Sequence, residues 1–164
     1  MDAIKEFSTN KPEIIVLVGL PASGKSTWAN IYVENRENTI LLSSDKIREE
    51  LFGDEATQGD PKKVFALLET RLIKNIKEGK NVVVDATSIN RWERKNYIEI
   101  AKDFNAIPVA VIFDTPVEEC KRRNQGRERV VPDFVYDKML KKYEAPSIAE
   151  GFVMVLREKV KMEE

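Results

Sequence analysis

The 164 residues contain no histidine and one cysteine, Cys120. Without imidazole, a Ser-His-Asp triad, a Cys-His dyad and a two-histidine zinc site are excluded, and no side chain has an unperturbed pKa near neutrality. Any protein base must then be a carboxylate or a lysine. A lone cysteine closes no disulfide within the chain, in agreement with a reducing compartment. No apolar run approaches the roughly 20 residues of a membrane span. The opening Met1-Asp2-Ala3-Ile4-Lys5-Glu6 lacks the basic-then-apolar plan of a signal peptide, so the expected location is cytoplasmic, with no membrane partner. Net charge is nearly absent as well: 27 Lys and Arg face 28 Asp and Glu. With no global attraction for polyanions, a polyanion site has to be a local patch. What remains, 42% hydrophobic and 34% charged residues, suits one water-soluble domain with a single core.

Continuous apolar runs at Ile14–Val18 and Asn81–Val84 predict strands covered on both faces, the mark of a parallel sheet. Thr39–Leu42, Ile107–Phe113 and Phe152–Leu156 add three candidates. Helical patterns fill the gaps. Asp60 caps a helix with Pro61 at its first position and Val64, Leu68, Leu72 and Ile76 on one face, ending at Gly79. Asn90 and Glu93 form a capping box for the next. Thr115-Pro116 and Pro132 open two more. Alternating strands and helices predict a doubly wound α/β fold, a parallel sheet of about four or five strands flanked by helices, with ligands at the carboxyl ends of the strands. Residues 1–12 are expected to be a flexible arm, 13–156 the folded domain and 157–164 a charged tail.

Directly after the first strand, Gly19-Leu20-Pro21-Ala22-Ser23-Gly24-Lys25-Ser26-Thr27 fits G-x-x-x-x-G-K-[ST]. Gly19 and Gly24 let the backbone curl so that successive N–H groups point at phosphate oxygens, with Ala22, Ser23 and Thr27 in the same wall. Lys25 adds positive charge for the outer phosphates and the Ser26 hydroxyl suits Mg²⁺, while the following helix contributes its N-terminal dipole. A guanine-reading N/T-K-x-D is missing after this loop, since Asn10-Lys11-Pro12-Glu13 precedes it and lacks the aspartate. A GTPase switch is therefore disfavoured, and a large motor does not fit this length. A small ATP-dependent phosphotransferase remains, with an α/β sheet of the P-loop NTPase type and a basic lid expected and 13–156 as the P-loop kinase domain.

The second strand run leads into Ser43-Ser44-Asp45-Lys46-Ile47-Arg48. An aspartate at the carboxyl end of a strand beside the P-loop strand would face the γ-phosphate, where Asp45 can take the proton of an attacking hydroxyl. With Asp45 capping a short helix, Arg48 turns back toward the same place, its planar fork suited to a phosphate on the acceptor. Asp85, after four apolar strand residues, can hold a metal-bound water or orient Arg48 and the loop. Residues 121–129 carry five basic residues and one acid, and Gly126 gives them mobility. Such a segment is a candidate lid, whose Arg123 or Arg127 can stabilise charge on a transferring phosphoryl group.

Together these segments resemble a known family. Gly-x-Pro-x-Ser-Gly-Lys-Ser-Thr-Trp, Ser44-Asp45-x-x-Arg48, Val84-Asp85-Ala86-Thr87, Arg123-Asn124-x-x-Arg127 and Tyr143-Glu144-Ala145-Pro146 through Glu150-Gly151-Phe152 are similar to the 5′-hydroxyl polynucleotide kinase domains of nucleic-acid end repair. The resemblance implies transfer of the ATP γ-phosphate to a 5′-hydroxyl end of DNA or RNA. It implies Lys25 and Ser26 on phosphate and Mg²⁺, Asp45 as base and Arg48 on the acceptor's neighbouring phosphate. Asp85 and Thr87 fall on the acceptor side, and Arg123 and Arg127 reach the ATP phosphates from the lid. Ala86-Thr87-Ser88 stands where relatives often have Asn-Thr-Asn, so Ser88 departs from the pattern. No D-x-D-x-T/V phosphatase motif occurs here, so the expectation is either a kinase alone or a kinase whose partner activity, a separate 3′-phosphatase or ligase, lies on another polypeptide. The competing readings are a related kinase acting on seryl-tRNA or a metabolite hydroxyl, and a nucleotide-binding regulatory module that would leave Asp45 without a task.

Overall fold

The computed structural model describes residues 10–53 and 59–158. The arm expected at 1–12 lies outside them except for residues 10–12, as does the tail beyond 158. Five strands, β1 (Glu13–Val18), β2 (Thr39–Ser43), β3 (Asn81–Asp85), β4 (Ile107–Phe113) and β5 (Met154–Glu158), form one parallel sheet in the order β2-β3-β1-β4-β5. Between them run α1 (Lys25–Glu34), α2 (Ser44–Phe52), α3 (Pro61–Lys77), α4 (Arg91–Asp103), α5 (Val117–Asn124) and α6 (Asp133–Lys142). Every residue of β1 and β4 is buried, which explains why neither run alternates. β1 therefore lies at the switch point of the sheet, flanked by β3 and β4.

One side of the sheet packs Ile14, Val16, Val82 and Val84 against Ile47 of α2, Leu68 and Leu72 of α3, Tyr97 of α4 and Phe152. On the other side, Ile15, Leu17, Val109 and Val111 meet Trp28 and Tyr32 of α1, whose rings stack 4.7 Å apart. A third cluster, Leu20, Cys120, Val131 and Tyr136, ties the lid segment to the P-loop. Among the described residues, no helix is long and apolar enough to cross a membrane.

Several expectations are corrected here. β2 is not beside the P-loop strand, because β3 is inserted between them. The fully apolar Val82, Val83 and Val84 take the more buried place, and Thr39–Ser43, with three half-buried residues, is left at the edge. The fifth strand starts at Met154 and continues through Arg157 and Glu158, which had been read as tail. The cap of α2 is Ser43, whose hydroxyl accepts from the Lys46 amide at 3.3 Å, so Asp45 belongs to the first turn. Only part of the Asn90–Glu93 box forms: Asn90 Oδ1 accepts from the Glu93 amide at 2.9 Å, while the Glu93 carboxylate accepts from Thr87 Oγ1 at 3.3 Å. Ser88, at φ 46°, turns the β3–α4 loop so that Thr87 comes within reach.

Candidate active site

The P-loop is braced by its neighbours before any ligand is considered. The Gly19 amide donates to Thr87 O at 3.1 Å and Thr115 Oγ1 donates to Ser23 O at 2.7 Å, so the ends of β3 and β4 hold the loop from two sides. Thr115 thus supports the loop and does not cap the helix it precedes. A side chain at position 19 would come within 2.7 Å of Ser23 Oγ and 3.1 Å of Phe113 Cβ, so glycine is required by space. Gly24, at φ 105°, is required by conformation, whereas Ala22 adopts φ 63° with a methyl group. Such a left-handed alanine costs about 1–2 kcal/mol, tolerated where surrounding bonds over-determine the backbone.

Lys25 is buried, and its Nζ donates to Gly19 O at 2.9 Å and Leu20 O at 2.8 Å. Burial pulls its pKa down to about 8, against the opposing pull of Asp85. Ser26 Oγ donates to Asp85 Oδ2 at 2.7 Å, and burial raises the Asp85 carboxyl against the opposing Lys25 charge. Of the two options read for Asp85, the structure displays the contact to the P-loop serine. A hydroxyl and one carboxylate at this distance fit Mg²⁺, which takes one or two protein ligands and completes its shell with phosphate oxygens and water. Among the described residues, no cluster of three or more acidic or cysteine side chains offers a different kind of metal site. The buried ammonium and the curled backbone fit a triphosphate.

Facing the loop is Asp45, with 29% of its side chain exposed. Its Oδ1 accepts from Arg48 at 2.7 Å and from Arg129 at 2.8 Å, and its Oδ2 accepts from Arg127 at 3.4 Å. The lid therefore closes over the strand-end aspartate. Its base is firm: the Asn124 side chain donates to Val131 O at 2.7 Å and accepts from the Val131 amide at 3.0 Å, pinching off residues 125–130. Tyr136 donates to Pro21 O at 2.8 Å, and burial pushes its pKa up to about 12, keeping it a donor. Glu119 binds Arg122 at 2.6 Å and Arg123 at 3.0 Å, and these bonds, with Arg122 foremost, hold its carboxyl down near 2. Helix α5 stops at Asn124, so Arg123 and Arg127 share the cleft without sharing a helix face.

A cleft of about 960 Å³ brings nearly all these groups together: Ala22, Gly24, Lys25, Ser26 and Thr27 on one wall, Asp45, Arg48, Asp85 and Thr87 on another, Arg123 and Arg127 on the lid. Gly19 and Ser23 are not lining residues and act beneath the loop. Two lining residues escaped the sequence reading. Arg129 stood in the basic run, but nothing in its spacing connects it to Asp45, 84 residues away. Glu93 was assigned to a cap, and only the turn at Ser88 reveals its carboxylate beside Thr87.

A phosphate cradle at the switch point of a parallel sheet, with a carboxylate-bearing wall opposite and an arginine-bearing lid above, defines a P-loop kinase. Residues 14–146 match a family model described as an AAA domain, and the chain belongs to that family. A bifunctional polynucleotide phosphatase/kinase of Schizosaccharomyces pombe is 30% identical over 149 residues, 87% of this chain and 32% of that protein. An L-seryl-tRNA(Sec) kinase of Methanococcus maripaludis is 28% identical over 138 residues, 81% of this chain and 53% of that one. Among solved structures, a chain of the Pnkp1/Rnl/Hen1 RNA repair complex superposes with a TM-score of 0.71 at 26% identity, covering 84% of this chain and 46% of the other. The chain spans about a third to a half of the length of these relatives. The resemblance to polynucleotide kinase domains holds.

Proposed function

We propose that the chain is an ATP-dependent polynucleotide 5′-hydroxyl kinase acting on DNA or RNA ends. The observation that carries this reading is Asp45, set in one cleft with Lys25, Ser26 and Asp85 and contacted by Arg48 and the lid arginines. The P-loop amides and Lys25 hold the ATP phosphates. Magnesium, when bound at Ser26 and Asp85, would neutralise phosphate charge. Asp45 accepts the proton of the 5′-hydroxyl as its oxygen bonds to the γ-phosphorus and the bond to the β–γ bridging oxygen breaks, with ADP leaving. Arg127 has two kinds of anionic partner within reach, Asp45 and the phosphates, and its move to the phosphates frees Oδ2 for the hydroxyl. Arg48 holds the phosphate next to the acceptor sugar, Thr87 lines the acceptor side, and Arg123 supports the ATP phosphates. A 3′-phosphatase or a ligase activity would complete end repair, in the cytoplasm.

A second reading, phosphorylation of a seryl group on tRNA or of a metabolite, shares the loop and the Asp45-x-x-Arg48 pair, and the Methanococcus relative supports it at similar identity. Labelled γ-phosphate from ATP, offered with 5′-hydroxyl oligonucleotides, seryl-tRNA and small polyols, distinguishes the two. Label on the oligonucleotide is the expected outcome. Transfer only to the other acceptors overturns the polynucleotide reading.

A further inference from the structure

Trp92 is the most exposed large apolar side chain among the described residues: 83% of it is exposed, in the first turn of α4. It lines a second groove, of about 310 Å³, together with Lys138 and Lys142 of α6. Lys138 and Lys142 are four residues apart and lie on one face of their helix. This groove adjoins the main cleft, for the two share Thr87, Glu93, Val135 and Met139. Thr87 follows β3, which lies between the P-loop strand and β2, the strand that leads into Asp45.

The groove also has fixed walls. The Glu144 amide donates to Ile89 O at 2.8 Å and Glu144 Oε1 accepts from the Arg91 amide at 3.3 Å, which locks the segment after α6 to the start of α4. The acids around it are engaged: Glu93 by Thr87, Glu144 by the Arg91 amide, and Asp137, on the same helix as the lysines, by Lys121. An exposed indole beside two lysines is the combination that binds single-stranded nucleic acid, the ring stacking on a base of any identity and the ammonium groups meeting the backbone. A small polyol or a lone phosphorylated metabolite would end at Arg48 and make no use of it.

From this geometry we infer that Trp92 is a stacking platform for a base downstream of the reacting 5′ end of a single strand, and that Lys138 and Lys142 hold the adjoining backbone phosphates. The inference rests on the polynucleotide reading and deepens it, by assigning length and strandedness preference to this groove. Because neither Asp45 nor Lys25 lines this groove, the platform acts on acceptor affinity.

The test compares a nucleoside 3′-monophosphate with a single-stranded 5′-hydroxyl octanucleotide as acceptors for the whole protein. The wild-type chain should show the higher kcat/KM on the octanucleotide. Trp92→Ala should lower that value about 5- to 150-fold through KM, the equivalent of one lost base stack, and leave the mononucleotide within twofold. Trp92→Phe should retain most of the octanucleotide activity. Replacing Lys138 and Lys142 by Ala should flatten the salt dependence of octanucleotide binding by about 1.4 in the log–log slope. Trp28 is buried in the core, so octanucleotide should quench tryptophan emission in the wild type and lose most of that quenching in Trp92→Ala. Unchanged octanucleotide kinetics in Trp92→Ala, or equal losses on both acceptors, overturns the platform while the kinase reading stands. Absence of transfer to either acceptor from the wild type overturns the polynucleotide reading itself.

Discussion

Two arginine–carboxylate clusters stand at opposite extremes in this molecule. Arg94 and Glu150 are buried, at 0% and 4% side-chain exposure, and form a two-pronged pair at 2.8 and 3.0 Å, with the remaining Arg94 nitrogen donating to Ser88 O at 2.9 Å. Asp45 is more exposed, and its two oxygens are divided among Arg48, Arg127 and Arg129. In the first cluster the partners fill one another's hydrogen-bonding capacity away from water, so neither can leave without stranding a buried charge. In the second, three cations meet one anion at a water-accessible cleft: Arg48 is buried, but the half-buried Arg127 and Arg129 can be drawn to another anion at small cost. The same chemistry thus clamps the segment after α6 onto α4 in one place, and in the other leaves arginines that a competing anion can draw away.

Substitutions can break this contrast. The largest effect is expected from Asp45→Asn, which keeps the volume and an acceptor for arginine but removes the proton acceptor: turnover should fall by about 10²- to 10⁴-fold with ATP binding nearly unchanged. Its unfolding free energy should change by less than about 1 kcal/mol, as measured by urea denaturation. Near-normal turnover would show that Asp45 is no base. Next in size, Glu150→Ala should cost about 3–5 kcal/mol of stability, while the fraction that stays folded at low temperature turns over at close to the normal rate. A loss of turnover larger than the loss of folded protein would mean that this clamp shapes the site as well as the fold.

The smallest effect sharpens the comparison through Lys25, a buried cation held by the carbonyls of Gly19 and Leu20. Its pKa near 8 lies below the ordinary 10.5, so between these values the unfolded chain binds more protons than the folded one. Stability should therefore rise with pH across that window. Relative to Lys25→Met, the wild type should gain about 1–3 kcal/mol between pH 8 and 10.5 in denaturation midpoints. ATP binding, which requires the charged ammonium, should weaken over the same range and take up a proton near pH 8.5 in calorimetry. A flat wild-type-minus-variant difference would mean that Lys25 keeps its ordinary pKa in the fold.

Legibility in the sequence followed the range of the interactions. Ile14–Val18, Asp60-Pro61 and Gly19–Thr27 announce themselves because strand burial, capping and phosphate-loop curvature depend on residues a few positions apart. Asp45 and Arg48 were recognisable for the same reason, being neighbours on one helix turn. The capping box at Asn90 was half misread because a tertiary partner, Thr87, competed for Glu93. Strand order was misjudged because nothing local says that β3 enters between β2 and β1.

By itself, then, the sequence determined the parallel α/β class, the phosphate loop with Lys25 and Ser26, and, through its lack of histidine, the exclusion of imidazole chemistry. Only the tertiary structure decided which arginines meet Asp45, that Ser26 bonds Asp85 at the end of the neighbouring strand, and that Trp92 lines a groove beside the main cleft. Local patterns are dictated by backbone geometry and burial, which act over one or two turns. Contacts spanning 59 and 84 residues exist only after the hydrophobic faces of the sheet have been covered and the chain has been brought back on itself.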